Sequence, residues 1–324
     1  MTATAGGAAA TCGRENCYAP DTGCILGNVE GCEHFAAPAS EAATVPAQEV
    51  TQGQRLPWSG LALGLTDVFQ VAALGRPHVV GVVGAAGSGK TTLLAAHWIA
   101  ARRGLGTYSR SFAGSYSLMG WHQIARHLQW QPVGSGFPPH TSSSDNRSPA
   151  LLHVAYSNPD DPADGARRRH VLLTDAPGEW FSRWAEEPAL AEGAQWVADH
   201  ADAFLLLADG DALRGAERGQ ARVNYQSLAI RLHTSAAGRP VIPVLTKADV
   251  GVPEGILEAV NKVNRRYFDT EALQVSAHDP ETFASIVEPM DLAIEAAFRA
   301  RYASTCEPDT WVRQMAVQLR GGRR

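Results

Sequence analysis

The chain has 324 residues, 45% of them hydrophobic and 19% charged, with a formal net charge of -5. That length suggests one or two domains of about 150 residues each, and the apolar fraction allows a core of normal size. The acidic balance argues against general nucleic-acid binding, which carries a basic excess. No apolar run reaches the ~20 residues of a membrane span, and the first ten residues lack the basic start and apolar block of a signal peptide. A soluble cytoplasmic protein is the expectation.

Residues 1–10 are small and polar and are expected to be disordered. Residues 11–35 form a small N-terminal Cys-rich segment holding Cys12, Cys17, Cys24 and Cys32. In a cytosolic protein such a cluster points to metal more than to disulfides. The spacing Cys12-x4-Cys17-x6-Cys24-x7-Cys32-x-His34 leaves two readings open. Four thiolates, or a set including His34, could wrap one Zn²⁺ and fold a segment that has no core. Alternatively, these are reduced cysteines in a flexible tail, because paired C-x2-C knuckles are missing. Residues 36–55, rich in Ala, Pro, Thr and Gln, read as a linker.

The main domain is expected over 56–304, followed by a C-terminal helix and basic tail at 305–324. Residues 61–74 have helical spacing. A valine-rich run at 78–83 suits a buried parallel strand. A helix follows from Lys90 to about Arg103, then a strand at 107–113 and an amphipathic helix at 117–130. Pro, Gly, Ser and Asn make 131–149 a loop. Strands at 151–156 and 170–174 are joined by turn-rich residues and are expected to form a hairpin that adds one antiparallel edge strand. Helices near 190–200, 220–233, 254–268 and 281–300 then alternate with strands at 203–208, 241–245 and 272–275. This alternation predicts an α/β fold with a doubly wound, mostly parallel sheet covered on both faces.

Gly84-Ala85-Ala86-Gly87-Ser88-Gly89-Lys90-Thr91 fits G-x-x-x-x-G-K-[ST], with a strand before it and a helix after it. The backbone of such a loop wraps phosphate oxygens with N–H groups at a helix N-terminus. Lys90 supplies a cation to the β- and γ-phosphates, and the Thr91 hydroxyl ligates Mg²⁺. Thr92 is the adjacent hydroxyl, but the spacing favours Thr91. The strand 171–174 runs into Asp175, followed by Pro177, Gly178 and Glu179. An acid at this strand tip holds Mg²⁺, a glycine N–H can meet the γ-phosphate, and Glu179 would sit beside the attacking water.

The next loaded strand tip is Thr246-Lys247-Ala248-Asp249. The Asp249 carboxylate can accept hydrogen bonds from guanine N1–H and the exocyclic amine, whereas adenine would leave it unpaired. The Lys247 stem can lie along the base plane. Backbone N–H groups at Ser276-Ala277 could meet guanine O6.

These four stations stand in the order of the translation-factor-related phosphate-loop GTPases, which the chain resembles over about 78–300. Two stretches are similar to the bacterial double-GTPase type 2 family: Ser111-Phe112-Ala113-Gly114-Ser115-Tyr116-Ser117-Leu118-Met119-Gly120-Trp121 and Leu173-Thr174-Asp175-Ala176-Pro177-Gly178-Glu179-Trp180-Phe181. The N-terminal cysteine segment is similar too. The resemblance implies a GTPase that uses Mg²⁺, with Gly84, Ala85, Ala86, Gly87, Ser88, Gly89, Lys90 and Thr91 on the phosphates and Asp175 with Gly178 in the second switch. It also implies that Thr246, Lys247, Asp249, Ser276 and Ala277 hold guanine. A role in multi-gene bacterial defence or signalling systems, with a partner or activating protein, is part of that implication.

Two departures stand out. Glu179 occupies the place of the water-orienting glutamine, and the threonine of the first switch is not evident in the long gap before Asp175. Thr141 is the candidate for that second Mg²⁺ ligand, against its reading as a plain loop residue. Two rivals remain at this point: a GTP-sensing interaction module with little hydrolysis, and an ATPase, against which the Thr246–Asp249 motif speaks.

Overall fold

The computed structural model describes Cys32 and residues 60–105, 110–128, 138, 149–157, 168–278 and 283–300. Cys12, Cys17, Cys24, Thr141, the expected linker and the C-terminal tail lie outside the described residues. The chain divides into two compact units, Met1–Leu56 and Pro57–Arg324. In the first, Cys32 is a partly buried free thiol.

In the second unit the described elements run α1 (Val68–Ala72), β1 (His78–Val83), α2 (Lys90–Arg102), β2 (Ser111–Gly114), α3 (Leu118–Ala125), β3 (Ala150–Ser157), β4 (Arg169–Asp175) and α4 (Gly178–Glu186). They continue with α5 (Glu192–His200), β5 (Ala203–Asp209), α6 (Gly210–Arg214), α7 (Arg218–Ala236), β6 (Val241–Thr246), α8 (Glu254–Phe268), β7 (Leu273–Gln274) and α9 (Val287–Arg299). The strands form one seven-stranded sheet in the order β2-β3-β4-β1-β5-β6-β7. β4, β1, β5, β6 and β7 are parallel, and β3 runs antiparallel to both its neighbours.

Alternation along β1 shows why its sequence is apolar throughout. Val79 and Val83 face one core, with Phe181 and Trp184 of α4, Val197 of α5 and Leu228 of α7. Val80 and Val82 face the other, with Leu94 of α2, Trp121 of α3 and Met290 of α9. A strand covered on both faces has no solvent side, so its period-2 pattern disappears into a continuous run. The α/β, doubly wound architecture is therefore present, and no described helix is long and apolar enough to cross a membrane.

Several expectations need correction. β3 is antiparallel as anticipated, but it lies inside the sheet: Ser111–Gly114 pairs on its outer side, through a bulge between Phe112 and Gly114, and takes the edge. Residues 61–74 are not one helix. The Leu63 N–H and C=O both bond to Leu151, which commits that backbone to the sheet. Helical structure begins only at a 3-10 turn over Leu65–Asp67, followed by α1. The helix expected at 117–130 ends as α-helix at Ala125 and tightens into a 3-10 turn over Arg126–Leu128. The one expected at 281–300 starts as a 3-10 turn at Phe283–Ile286 before α9. Helix α6 has no counterpart among the expected elements, and α4 is marked in the sequence only by the helical spacing of Trp180 and Trp184, which leaves a surface or a core place open.

Candidate functional site

β1 is flanked by β4 on one side and β5 on the other, so the chain reverses its direction of winding there. Ligands in open α/β sheets bind beyond the carboxyl ends of strands at such a point. The carboxyl ends of β1, β4, β5 and β6 carry Gly84, Asp175, Asp209 and Thr246–Lys247 respectively. A cavity of about 650 Å³ opens there, lined by the phosphate-loop residues 86–87 and 89–92, by Gly178 and Glu179, and by Thr246, Lys247, Asp249 and Ala277. Its volume lies in the ordinary range for a small-molecule site.

The loop Gly84–Gly89 turns into α2 with Gly87 at φ 77° and Gly89 at φ 80°, both in the left-handed region that disfavours any side chain. The Lys90 Nζ folds back and donates to the carbonyls of Gly84, at 3.1 Å, and Ala85, at 2.9 Å. Burial pushes its pKa down to about 8, against the upward pull of Asp175, Glu179 and Asp209.

The Thr91 hydroxyl donates to the Asp175 carboxylate, with Oγ1 at 2.8 Å from Oδ1 and 3.0 Å from Oδ2. The two proposed Mg²⁺ ligands thus meet although 84 residues separate them. Thr174 fixes the tip of β4: its hydroxyl accepts the Val82 N–H at 2.9 Å, in place of a main-chain acceptor. A hydroxyl plus a carboxylate is a hard oxygen donor set of the kind Mg²⁺ prefers. Among the described residues no group of three or more His, Cys, Asp or Glu side chains gathers as a metal site.

Gly178 begins α4 against the phosphate loop. A Cβ on it would lie 2.3 Å from the Ala86 nitrogen, so only glycine allows this approach. Glu179, the next residue, is exposed on the first turn of α4 and lines the cavity.

The base-motif residues divide their work. The Thr246 hydroxyl is directed at two main-chain carbonyls, Ser88 at 2.9 Å and Ala208 at 3.1 Å, so it fastens β6 to the phosphate loop and β5. Lys247 has φ 54°, and its ammonium lies 2.8 Å and 2.9 Å from the two oxygens of Asp209. The Asp249 carboxylate accepts the Ser276 hydroxyl at 2.7 Å, and that hydroxyl in turn accepts the His278 N–H at 3.2 Å. Ala248 N–H bonds to the Val275 carbonyl, which ties the motif to the end of the last strand segment.

Ala86, Gly87, Gly89 to Thr92, Gly178, Glu179, Thr246, Lys247, Asp249 and Ala277 line one cavity; Asp175 and Ser276 reach it through their bonds to Thr91 and Asp249, whereas Ala85 and Ser88 line a different cavity. A cavity with this lining and a strand tip of the Thr-Lys-x-Asp type has a family counterpart. The chain belongs to the Double-GTPase 2 family. The family model matches residues 78–296, from the first residue of β1 into α9. No curated protein matched the chain.

In this Double-GTPase 2 domain, sequence reasoning missed Asp211 and His278, which line the cavity, and a residue that positions Lys247. Asp209, at the tip of β5, pairs with Lys247, accepts the Asp211 N–H at 3.0 Å and so caps α6, and stands 3.6 Å from where a Gly87 Cβ would be. Its one signal was an apolar strand ending in an acid and a glycine, Ala208-Asp209-Gly210, the same pattern that drew attention to Asp175.

Proposed function

We propose that this chain binds GTP together with Mg²⁺, hydrolyses it to GDP and phosphate, and uses the cycle as a switch toward a protein partner. A place in a bacterial signalling or defence system is the setting the family resemblance favours. The observation that carries the reading is the span of one cavity. At one end stand Lys90 and the glycine-rich loop, which in this reading would meet the phosphates. At the other, Asp249 is held by Ser276 with its carboxylate beside Ala277, where a guanine edge would meet it.

In this reading Lys90 leaves the loop carbonyls for the β- and γ-phosphates. Thr91 and Asp175 would hold Mg²⁺, which when bound neutralises phosphate charge, and Thr141 is the proposed further ligand from the first switch. Glu179, at the start of α4, orients the attacking water. The water oxygen bonds to the γ-phosphorus and its proton passes to a phosphate oxygen or to solvent, the bond from that phosphorus to the bridging oxygen breaks, and GDP leaves with the electron pair. The Gly178 contact with Ala85–Ala86 makes the start of α4 sensitive to whether a γ-phosphate is present, which is what a switch requires.

A second reading, a GTP sensor with slow turnover, has one observation in its favour. Glu179 brings negative charge near a γ-phosphate where other GTPases use a neutral glutamine. Multiple-turnover phosphate release separates the two readings.

Titration of GTP against ATP, with Mg²⁺, for the native chain and for Asp249→Asn is the direct test. A strong GTP preference that moves toward xanthine nucleotide in the variant upholds the assignment, because the amide now offers a donor to an acceptor-bearing base. Equal affinity for ATP, or no effect of the substitution, removes it.

A further inference from the structure

Behind the phosphate loop lies a second cavity, of about 470 Å³, between the loop, α4, α6 and α7. Of the residues lining the two cavities, only Ala86 is common to both. Its inner wall is apolar, formed by Leu207 of β5, Leu213 of α6 and Leu228 of α7, all buried. Polar side chains line it too, among them Ser182, Gln220, Asn224 and Tyr225, which are hydrogen-bonded within the fold, and Ser88. Ser88 is 1% exposed, and its hydroxyl has no hydrogen-bond partner among the described residues. Gly84 makes room for it: a Cβ there would lie 2.5 Å from the Ser88 Oγ. A buried hydroxyl without a partner is costly, so a group that supplies the missing bond binds with an advantage.

The charged side chains lining this cavity are all acidic: Asp209, Glu186 and Glu217. Asp209 is shared with Lys247, whereas Glu186 and Glu217 are exposed at the rim, on α4 and just before α7. An occupant would therefore meet an apolar inner wall, an unpartnered hydroxyl at the loop and negative charge at the mouth.

We infer that this cavity binds a small organic ammonium compound with a compact apolar body and a hydroxyl that reaches Ser88, and that its occupancy alters nucleotide affinity. Ser88 is one residue from Gly89 and two from Lys90, and its carbonyl holds the Thr246 hydroxyl. A ligand that pulls on Ser88 therefore pulls on both the phosphate loop and the base motif. The binding stands on the cavity alone; the coupling rests on the GTP reading above.

Tyramine is a suitable probe, since it carries a phenol and an ammonium on one ring. Binding to the full chain is followed by amide shifts in the absence of added nucleotide, beside phenethylamine, which lacks the hydroxyl, and 3-(4-hydroxyphenyl)propionate, which replaces the ammonium by a carboxylate. Saturable shifts centred on Ser88, Ala221 and Leu228 are expected. Loss of the hydroxyl should weaken binding about three- to tenfold, the worth of one hydrogen bond, and the carboxylate compound should bind most weakly. In Ser88→Ala, tyramine and phenethylamine should bind equally. GTP affinity should change at least twofold at saturating tyramine.

Absence of saturable shifts at Ser88, a carboxylate probe that binds as well as tyramine, or an unchanged tyramine preference in Ser88→Ala each overturns the site. Tyramine binding that leaves GTP affinity untouched overturns the coupling. Tyramine binding in a chain that shows no GTP preference would leave the site standing and remove the nucleotide reading instead.

Discussion

Lys90 is buried in the loop against two carbonyl oxygens, and this has a measurable consequence. Its pKa is near 8 in the folded chain, against 10.5 for the free side chain, because burial disfavours the charged form. The deprotonated form is thus the better accommodated one. The stability this group contributes is full above about 10.5, declines as pH falls, and is lost as pH falls through about 8. Phosphate binding reverses the balance by giving the ammonium an anion. Near pH 8.5, nucleotide binding should take up a fraction of a proton. Calorimetry in two buffers of different ionisation enthalpy checks this: the apparent heats should differ, and Lys90→Met should abolish tight binding altogether. Identical heats would mean that the ammonium is fully charged before the ligand arrives.

Asp209 offers a second test at this scale, because its two tasks can be separated. Asp209→Asn keeps an oxygen to cap α6 but removes the charge that steadies Lys247. It should lower GTP affinity about three- to tenfold, the range for an electrostatic contact to a charged group, with little change in melting temperature. Asp209→Ala should add a loss of about 1 kcal/mol for the missing cap. Equal affinity in the native chain and Asp209→Asn would show that Lys247 is positioned by its backbone alone. Asp175 and Asp249 could be read from sequence because each sits in a short contiguous motif whose chemistry is local. Asp209 could not, since its partner Lys247 lies 38 residues away and only the pairing of β5 with β6 brings them together.

At the scale of elements, the phosphate loop and α4 act as a pair. Only the spacing of Trp180 and Trp184 marks α4 in the sequence, because the helix opens on Pro177-Gly178, which also reads as a turn. The structure resolves that ambiguity through contact: Gly178 rests on Ala85 and Ala86, and Phe181 and Trp184 of the same helix are fully buried. Trp184, whose spacing from Trp180 allowed either a surface or a core role, is core, with its indole N–H donating to Gln195 at 2.8 Å. Gly178→Ala must displace the start of α4 from the loop, since the clash is with backbone and cannot be relieved by a rotamer change. Phosphate release in single turnover should then fall by at least tenfold, while GDP affinity, which needs no γ-phosphate contact, stays within about threefold. An equal loss in both would mean that Gly178 supports the loop itself rather than the switch.

The stretch 111–121, part of the resemblance to the double-GTPases, has a structural explanation of the same kind. Ser115 Oγ and the Trp121 indole N–H both donate to the His153 carbonyl, at 2.6 and 2.9 Å, and Ser117 Oγ accepts the His153 N–H at 2.7 Å. Tyr116 N–H donates to His153 Nδ1, so the other ring nitrogen carries the proton and donates to His170 Nδ1 at 2.9 Å. Burial, and then the neighbouring His170, push the His153 pKa down to about 3, which keeps the ring neutral. These contacts dock β2 and α3 on β3, and they explain why β3 is not the edge. Nothing in the local pattern of 107–113 reveals that outcome, because the partner strand begins more than thirty residues later.

Across the whole molecule, the parallel centre of the sheet was legible because burial on both faces leaves a continuous apolar run. What fastens the helices over it was not legible, because it depends on single long side chains bridging distant chain ends. Arg239 is the clearest example. Its guanidinium donates to the carbonyls of Ala198, Asp199 and Ala201 at the end of α5, and of Ser235 and Ala236 at the end of α7, at 2.6 to 3.3 Å. It also lies 5.0 Å over the Phe204 ring. The last carbonyls of a helix have no partner within it and carry partial negative charge. One planar cation here serves two helix ends, a geometry that a lysine ammonium cannot reproduce. Arg239→Lys should therefore destabilise the domain by about 2 kcal/mol and Arg239→Ala by about 3 kcal/mol, judged from charged hydrogen bonds of this kind. At about 2–4 °C per kcal/mol for a domain of this size, the melting temperature should fall by about 4–12 °C. Arg239 sits at the amino end of β5, whereas Asp209 and the nucleotide cavity are at its carboxyl end, so GTP affinity measured well below the transition should stay within twofold of the native chain. A variant that lost affinity without losing stability would show that the two ends of β5 are coupled, and that the sheet does more than hold the site in place.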